Sequence, residues 1–411
     1  MLNETVDPRA KRNSLLLMAG SELLVMGLWF SASAVVPQLT EEWNLSGSGQ
    51  AWMTMSVQLG FVVGALGGAA LNIADRIPAP RLIAWSALLG ALFNLAIPVF
   101  ATGASLAIAL RFLTGATLAG VYPPGMKVMA SWCKKDRGYG IGLLVGALTI
   151  GSGIPHLLAA VSAEGVGGIP PWRIVLYGSS ALAVIGAFMS WKWIHSGPHV
   201  AQASRFDWRH AASGITDRAT RLANFGYFGH MWELYAVWAW VPIMLLASYE
   251  LAGWSEQAAR FAAFGIFLAG GLSSYLAGKW ADRFGRTIIT STSLVLSGLC
   301  SLVAGLFFGS PLILTLIAIV WGFAVIADSA QFSAAVSELT DSRYVGTALQ
   351  VQTSIGFLLT IITLRIIPPL VDSIGWEYAF LILALGPVFG VVSMLRLRSL
   401  PDAQKMASGN R

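Results

Sequence analysis

The sequence predicts an all-α polytopic membrane protein that crosses the bilayer twelve times as two pseudo-symmetric six-helix bundles. Three observations predict it: an apolar composition, twelve separated apolar runs, and landmarks that return about 207 positions later in the chain. Of the 411 residues, 56% are hydrophobic and only 11% charged, with a mean hydropathy of +0.68. Ordinary soluble domains carry roughly 25% charged residues, so this chain needs lipid as its solvent. A crossing takes roughly 20 apolar residues, and the length accommodates twelve with short connections.

The runs, bounded by Gly, Pro or charge, fall at 14–37, 51–73, 82–102, 104–129, 138–161 and 172–194 in the first half. Those of the second half fall at 222–247, 258–276, 287–308, 311–339, 345–370 and 378–397. Residues 1–195 are thereby assigned to an N-terminal bundle, 196–221 to a polar central loop, and 222–411 to a C-terminal bundle with a short tail. The first run follows Arg9, Lys11 and Arg12 and ends near Ser31-Ala32-Ser33-Ala34, which resembles a cleavable signal. Its length and the enclosed Glu22 favour a retained helix.

Charge placement orients the chain. With both termini inside, all but four of the 26 Lys and Arg residues lie on the cytoplasmic side; the exceptions are Arg111, Arg173, Arg260 and Arg365. The positive-inside rule therefore places the protein in a bacterial-type inner membrane, with both termini and the central loop cytoplasmic. It also explains the pI near 9.4 without nucleic acid.

Internal repetition supports the two bundles. Asp75-Arg76 returns as Asp282-Arg283, Gly115 as Gly322, Arg137 as Arg343, Trp172 as Trp376 and Glu22-Leu23 as Glu233-Leu234. These offsets run from 204 to 211 positions, and chance matches would not share one spacing across so many helices.

Two motifs carry a family resemblance. Gly278-Lys279-Trp280-Ala281-Asp282-Arg283-Phe284-Gly285-Arg286 resembles the G-x-x-x-D-R-x-G-R loop of the major facilitator superfamily. Gly285 permits a tight turn, and Asp282 is placed to accept from a neighbouring helix N-terminus or a nearby Arg, latching one conformation. The first-half copy keeps Asp75 and Arg76 but has Pro78 and Ala79 where the pattern has its later glycine region. The stretch from Arg111 through Gly115, Gly120, Tyr122, Pro123 and Gly125 to Trp132 and Arg137 is similar to the fourth-helix region of that superfamily's organic-anion/proton symporters. Together the landmarks span nearly the whole chain. The resemblance implies alternating access about a midplane site, lined by the first, fourth, seventh and tenth helices.

Those four runs hold Glu22, Arg111, Glu233 and Asp328. An ionisable group at mid-bilayer costs at least about 2.5 kcal/mol unless paired or facing water, so each is a candidate for function. Three acids against one interior Arg leave spare carboxylates, which makes reversible protonation available as a coupling event. Glu233 is expected to carry it, with His230 three residues earlier on the same face, and Glu22 to neutralise Arg111. Trp29 and Trp240 follow the two glutamates by seven residues on a shared face. With Tyr122 and Tyr227 they form the expected aromatic lining; Trp232 and Trp238 are further candidates. Spaced glycines at 60, 64 and 68 read as close helix packing.

Other chemistries find little support. Cys133 and Cys300 are the only cysteines, too few for a disulfide framework, and no Cys/His spacing suits a metal. His230 and Glu233 supply one arm of a metal site without a second. No nucleophile and base lie at helical spacing, so no enzyme activity and no cofactor are expected. The expected function is a proton-coupled secondary transporter, acting as a monomer on a small organic solute. Uptake by symport is favoured, and export of amphipathic compounds is the alternative; Gly151, Gly153 and Pro155 match the glycine-rich antiporter pattern only in part.

Overall fold

A computed structural model of the chain describes residues 7–71, 73–133, 136–162, 165, 168–199, 216–341 and 344–410, apart from the side chains of Ala74, Asp75 and Arg137. Among the described residues, twelve helices are long and apolar enough to cross a membrane. They are α1 Pro8–Phe30, α2 Gly47–Ala70, α3 Ala79–Phe100, α4 Ala104–Trp132, α5 Gly138–Val161 and α6 Pro171–Trp193, then α7 Arg218–Leu251, α8 Glu256–Phe284, α9 Arg286–Phe307, α10 Pro311–Leu339, α11 Val345–Ile374 and α12 Trp376–Arg398. Helices predominate because every backbone polar group in hydrocarbon must be satisfied within its own segment.

Several ends differ from the sequence expectation. Helix α1 stops at Phe30, seven residues before the apolar run does, and a 3₁₀ turn (Ser33–Val35) and a short helix (Val36–Trp43) follow it. Helix α7 starts at Arg218, inside the expected central loop, because the Asp217 carboxylate caps it by accepting from Thr220 N at 2.8 Å. Most of the expected loop, residues 200–215, lies outside the described residues. Asp282 and Arg283, expected in a turn, occupy the last turn of α8. The turn itself shrinks to Gly285, whose φ of 95° an L side chain tolerates poorly.

Helices α4 and α10 are each interrupted near their middles. In α4 the first segment ends at Leu118 and the second begins at Tyr122, where Pro123 and Pro124 offer no N–H to the preceding turn. In α10 the segments are Pro311–Ala327 and Ser329–Leu339, joined at Asp328. The two breaks are 207 positions apart, counting from Val121 to Asp328, so they are equivalent under the repeat.

Within the N-terminal bundle α2 packs directly on α4. A Cβ at Gly60 would stand 1.9 Å from Phe112 O, and one at Gly64 2.2 Å from Ala116 O, while Gly68 faces open space. Two of the three spaced glycines thus serve close packing. Between the bundles, α5 runs along α8 through a glycine stripe the sequence reading did not single out. A Cβ at Gly142 would lie 2.9 Å from Ser274 O, and one at Gly146 2.7 Å from Gly271 O. A second seam joins α2 to α11, where Phe61 and Phe357 ring centroids are 4.7 Å apart.

Candidate functional site

Between the bundles lies a cavity of about 50 Å³, room for a few water molecules. Its wall is aromatic and drawn from both bundles: Trp29 of α1 and Tyr122 of α4 face Tyr227, Tyr235 and Trp238 of α7 and Phe357 of α11. Trp29 meets Phe357 at 5.4 Å and Tyr235 at 5.9 Å between centroids. Polar groups enter as hydroxyls, from Ser329 and Ser333 beside the α10 break and from Thr353 of α11. Tyr122 and Ser329 of the wall stand at the starts of the second segments of α4 and α10, so both helix breaks border the chamber.

Of the aromatic candidates, Trp29, Tyr122 and Tyr227 line the cavity, whereas Trp240 does not. Two turns and a half beyond Met231, Trp240 faces a second cavity of about 130 Å³ between the bundles, with Gly47, Pro368 and Asp372. Trp238, one of the further candidates, lines the central cavity as well and Trp232 does not; Tyr235, which was not among the candidates, shares the α7 face with Tyr227, Met231 and Trp238 at spacings of three and four. That periodicity was available in the sequence.

None of the described residues that line the central cavity is charged. Arg111 is fully buried and does not meet Glu22. Its guanidinium donates instead to Leu28 O (2.6 Å), Met53 O (3.2 Å), Ser31 Oγ (3.1 Å) and the Trp29 carbonyl. The carbonyls of Leu28 and Trp29 belong to the last turn of α1, where no intrahelical donor follows. Arg111 is therefore a cationic cap on the end of α1, and the expected Glu22–Arg111 pair is corrected.

Glu22 is fully buried, and neither carboxylate oxygen has a hydrogen-bond partner. Its Oε2 points at Gly125, where a Cβ would come within 3.1 Å. Gly125 lies one turn after the cavity-lining Tyr122 on the second segment of α4. Glu233, its repeat counterpart, is placed differently. One oxygen accepts from Trp321 Nε1 at 2.7 Å and the other from Ser297 Oγ at 2.8 Å, inside the C-terminal bundle. The reason is the neighbouring helices: α9 and α10 offer donors that α3 and α4 do not bring to Glu22.

His230 also turns away from Glu233. Its Nδ1 lies 2.9 Å from Asp328 Oδ1, both groups being buried, and its ring packs against Phe332 and Tyr227 at 5.6 and 6.0 Å. The pair ties α7 to the break in α10, immediately behind Ser329 and Met231 of the cavity wall. His156 stacks on Phe267 at 5.4 Å in the α5–α8 seam and is not among the cavity lining.

The bundles also touch at both ends of the α5–α8 seam. On the face that carries the described termini, a Cβ at Gly138 would be 2.8 Å from Asp282 Oδ2, so the Asp282 carboxylate rests on the α5 N-terminus. Gly278 makes room there too, its Cβ position being 2.8 Å from Gly138 O. Arg286 binds Glu338 twice (2.6 and 2.7 Å) and Gln331 Oε1 (2.7 Å), and lies 3.5 Å from Asp282. Arg283 is exposed over the Phe284 ring, and Arg76 is exposed; the side chain of Asp75 lies outside the described residues. The tail joins the network without any sequence signal: Met406 is buried, Ala407 N donates to Glu338 Oε2 (3.0 Å) and Asn410 Nδ2 to Asp282 O (3.0 Å). At the opposite face Arg260 Nη1 donates to Ala34 O at 2.9 Å and Gln257 Nε2 to Ala160 O at 3.0 Å. Asp282→Asn removes the charge that complements the α5 N-terminus. Exchange between conformations is expected to slow about tenfold with solute affinity unchanged, as read by turnover and binding on the same preparation; normal turnover with weakened binding would contradict this.

The sequence profile of the Major Facilitator Superfamily matches residues 18–252 and 223–410. The chain is 24% identical to the hexuronate transporter of Escherichia coli (strain K12), over 88% of each protein. It is 25% identical to the 4-hydroxybenzoate transporter PcaK of Pseudomonas aeruginosa, over 71% of this chain and 70% of that one. Among solved structures, the proton:xylose symporter XylE bound to 6-bromo-6-deoxy-D-glucose superposes with a TM-score of 0.77 at 13% identity, covering 95% of this chain and 96% of that one. A bacterial homologue of the human lysosomal transporter Spinster, in an inward-facing and unoccupied conformation, gives 0.67 at 13% identity, over 98% and 99%. With profile matches running through both bundles and twelve helices arranged as in these structures, the chain belongs to the major facilitator superfamily.

Proposed function

We propose that this protein is a proton-coupled secondary transporter that takes up a small organic solute by symport, with Glu22 as the residue that carries the coupling proton. The observation that carries the reading is the buried, partnerless carboxylate one turn from the cavity wall. An ionised carboxylate there would be uncompensated; a proton taken up and released at Glu22 changes the electrostatic cost of moving α1 against α4. That difference is what alternating access needs in order to couple two gradients. Glu233, with both oxygens already accepting, is better suited to holding α7 on α9 and α10. The relatives transport hexuronate and 4-hydroxybenzoate by name, which supports a small organic solute without fixing which one.

The test is uptake by proteoliposomes with and without an inward-directed proton gradient, with internal pH followed at the same time. Accumulation that requires the gradient and acidifies the lumen supports symport; alkalinisation on solute entry, or efflux driven by the gradient, would establish export instead. The orientation belongs to the same reading. A single cysteine at Ser204, in a background without Cys133 and Cys300, is expected to be labelled only from the cytoplasmic side, as the basic residues around it require. Periplasmic labelling would invert the topology.

A further inference from the structure

We infer that the central cavity recognises an uncharged, ring-bearing solute of aromatic character, with the ring taking the place of the stack that Trp29 makes across the bundles. The inference rests on the transport reading above and names the chemistry of its substrate.

The cavity wall is built to bind rings. Tyr235 stands 5.2 Å from Phe357 and 5.5 Å from Trp238, so the C-terminal bundle presents a continuous aromatic surface. From the N-terminal bundle Trp29 rests on that surface at 5.4 and 5.9 Å, flanked by Phe30, 5.8 Å from Trp238, and Phe61, 4.7 Å from Phe357. These are the separations at which rings attract one another beyond their buried area. The cavity of about 50 Å³ is well below the roughly 150 Å³ that a benzene-sized ligand occupies in an apolar site. A ring can therefore enter only by parting Trp29 from Tyr235 and Phe357, and in doing so it restores ring contacts on both sides. One bundle's ring is exchanged for the ligand's, which links occupancy to the separation of the bundles.

Charge is what the cavity does not serve. A carboxylate needs a cation or several N–H donors; the described lining offers only the two unpartnered indole N–H groups of Trp29 and Trp238, while Arg111 is spent on Leu28, Met53 and Trp29 carbonyls, and Arg260 and Arg286 are spent at the two ends of the seam. His230 is turned onto Asp328. A cation would likewise leave water without meeting a carboxylate on the described lining. The Ser329 hydroxyl can donate one bond and accept others, and those of Ser333 and Thr353, which bond to Gln352 and Tyr227, keep acceptor capacity, which suits a phenol or alcohol substituent on the ring.

The experiment uses the purified full-length protein in lipid nanodiscs, with no gradient present, so that coupling plays no part. Four probes are compared by thermal shift and direct binding at pH 8: 4-hydroxybenzyl alcohol, the ionised 4-hydroxybenzoate, glucuronate and benzyltrimethylammonium. The uncharged phenol is expected to bind at least tenfold more tightly than its carboxylate analogue. Trp29→Ala is expected to weaken it about tenfold, and Trp29→Phe to keep most of the affinity, which separates loss of the ring from loss of the fold. Tighter binding of either anion or of the cation, or binding of the phenol unaffected by Trp29→Ala, would overturn the inference. Counterflow of the phenol that ignores pH would leave the substrate class standing and remove proton coupling; gradient-driven uptake confined to the anions would do the reverse.

Discussion

Replacing Glu22 by Gln is expected to abolish gradient-driven accumulation while leaving solute counterflow close to the native rate. Gln keeps the shape of the protonated acid, so it holds the transporter in the form that carries both solute and proton. Exchange of solute for solute needs no release of that proton, and net uphill transport does. The buried site beside Gly125 receives no donor from any neighbour, so the neutral amide leaves no charged partner behind, and the folded protein is expected to survive. Glu233→Gln makes the contrast. It keeps a carbonyl for one of the two donors, Ser297 or Trp321, and turns an amide NH2 toward the other, costing roughly 1–3 kcal/mol of stability with accumulation retained. Proteoliposome accumulation, counterflow and proton flux, measured for both variants, decide between them. Full accumulation by Glu22→Gln would remove it from the coupling role and direct attention to the His230–Asp328 pair at the α10 break.

The largest effect on stability is expected at Arg111. Arg111→Met keeps an unbranched apolar stem and removes every guanidinium donor that reaches the α1 terminus. The Trp29 carbonyl then lies in a water-free region without that donor, Leu28 O keeps only the Ser31 hydroxyl at 3.1 Å, and Met53 O keeps its place inside α2; each charge-assisted bond lost costs roughly 1.5–3 kcal/mol, part of it recovered as the backbone relaxes. A net loss of roughly 3–5 kcal/mol is expected on that basis. Arg111→Lys should recover only a fraction, because one ammonium cannot match three acceptors arranged for a planar fork. Thermal unfolding in detergent, followed by size-exclusion profile and intrinsic fluorescence, measures the loss. Because Trp29 lies on the tethered turn, its fluorescence should change with the cap. If Arg111→Met unfolds at the native temperature and loses only binding of anionic solutes, Arg111 is a substrate ligand and not a cap.

The sequence by itself determined the membrane class, the twelve helices and the duplicated plan. Each of these follows from local rules that lipid enforces: backbone groups must pair within their own segment, and apolar length must match the bilayer. The Gly285 turn and the packing role of Gly60 and Gly64 were legible for a related reason, since a small residue at helical spacing marks close approach whatever the partner. Trp29 was legible from its spacing to Glu22, and Tyr122, Tyr227 and Trp238 as aromatics on the runs expected to line the site; such spacing gives a shared face. Periodicity does not say what that face meets. Only the tertiary structure decided the fate of the charges, because each bonds to groups distant in the chain. Arg111 meets the end of α1 more than 80 positions earlier and α2 58 positions earlier, and the apolar run continuing to Pro37 hid the fact that α1 stops at Phe30 and frees those carbonyls. Glu22 and Glu233 are equivalent by repeat, yet only Glu233 finds donors, because Ser297 and Trp321 are supplied by α9 and α10. In a low-dielectric bundle the partner, and not the residue type, sets what a buried charge does; here that choice was made by which helices pack together.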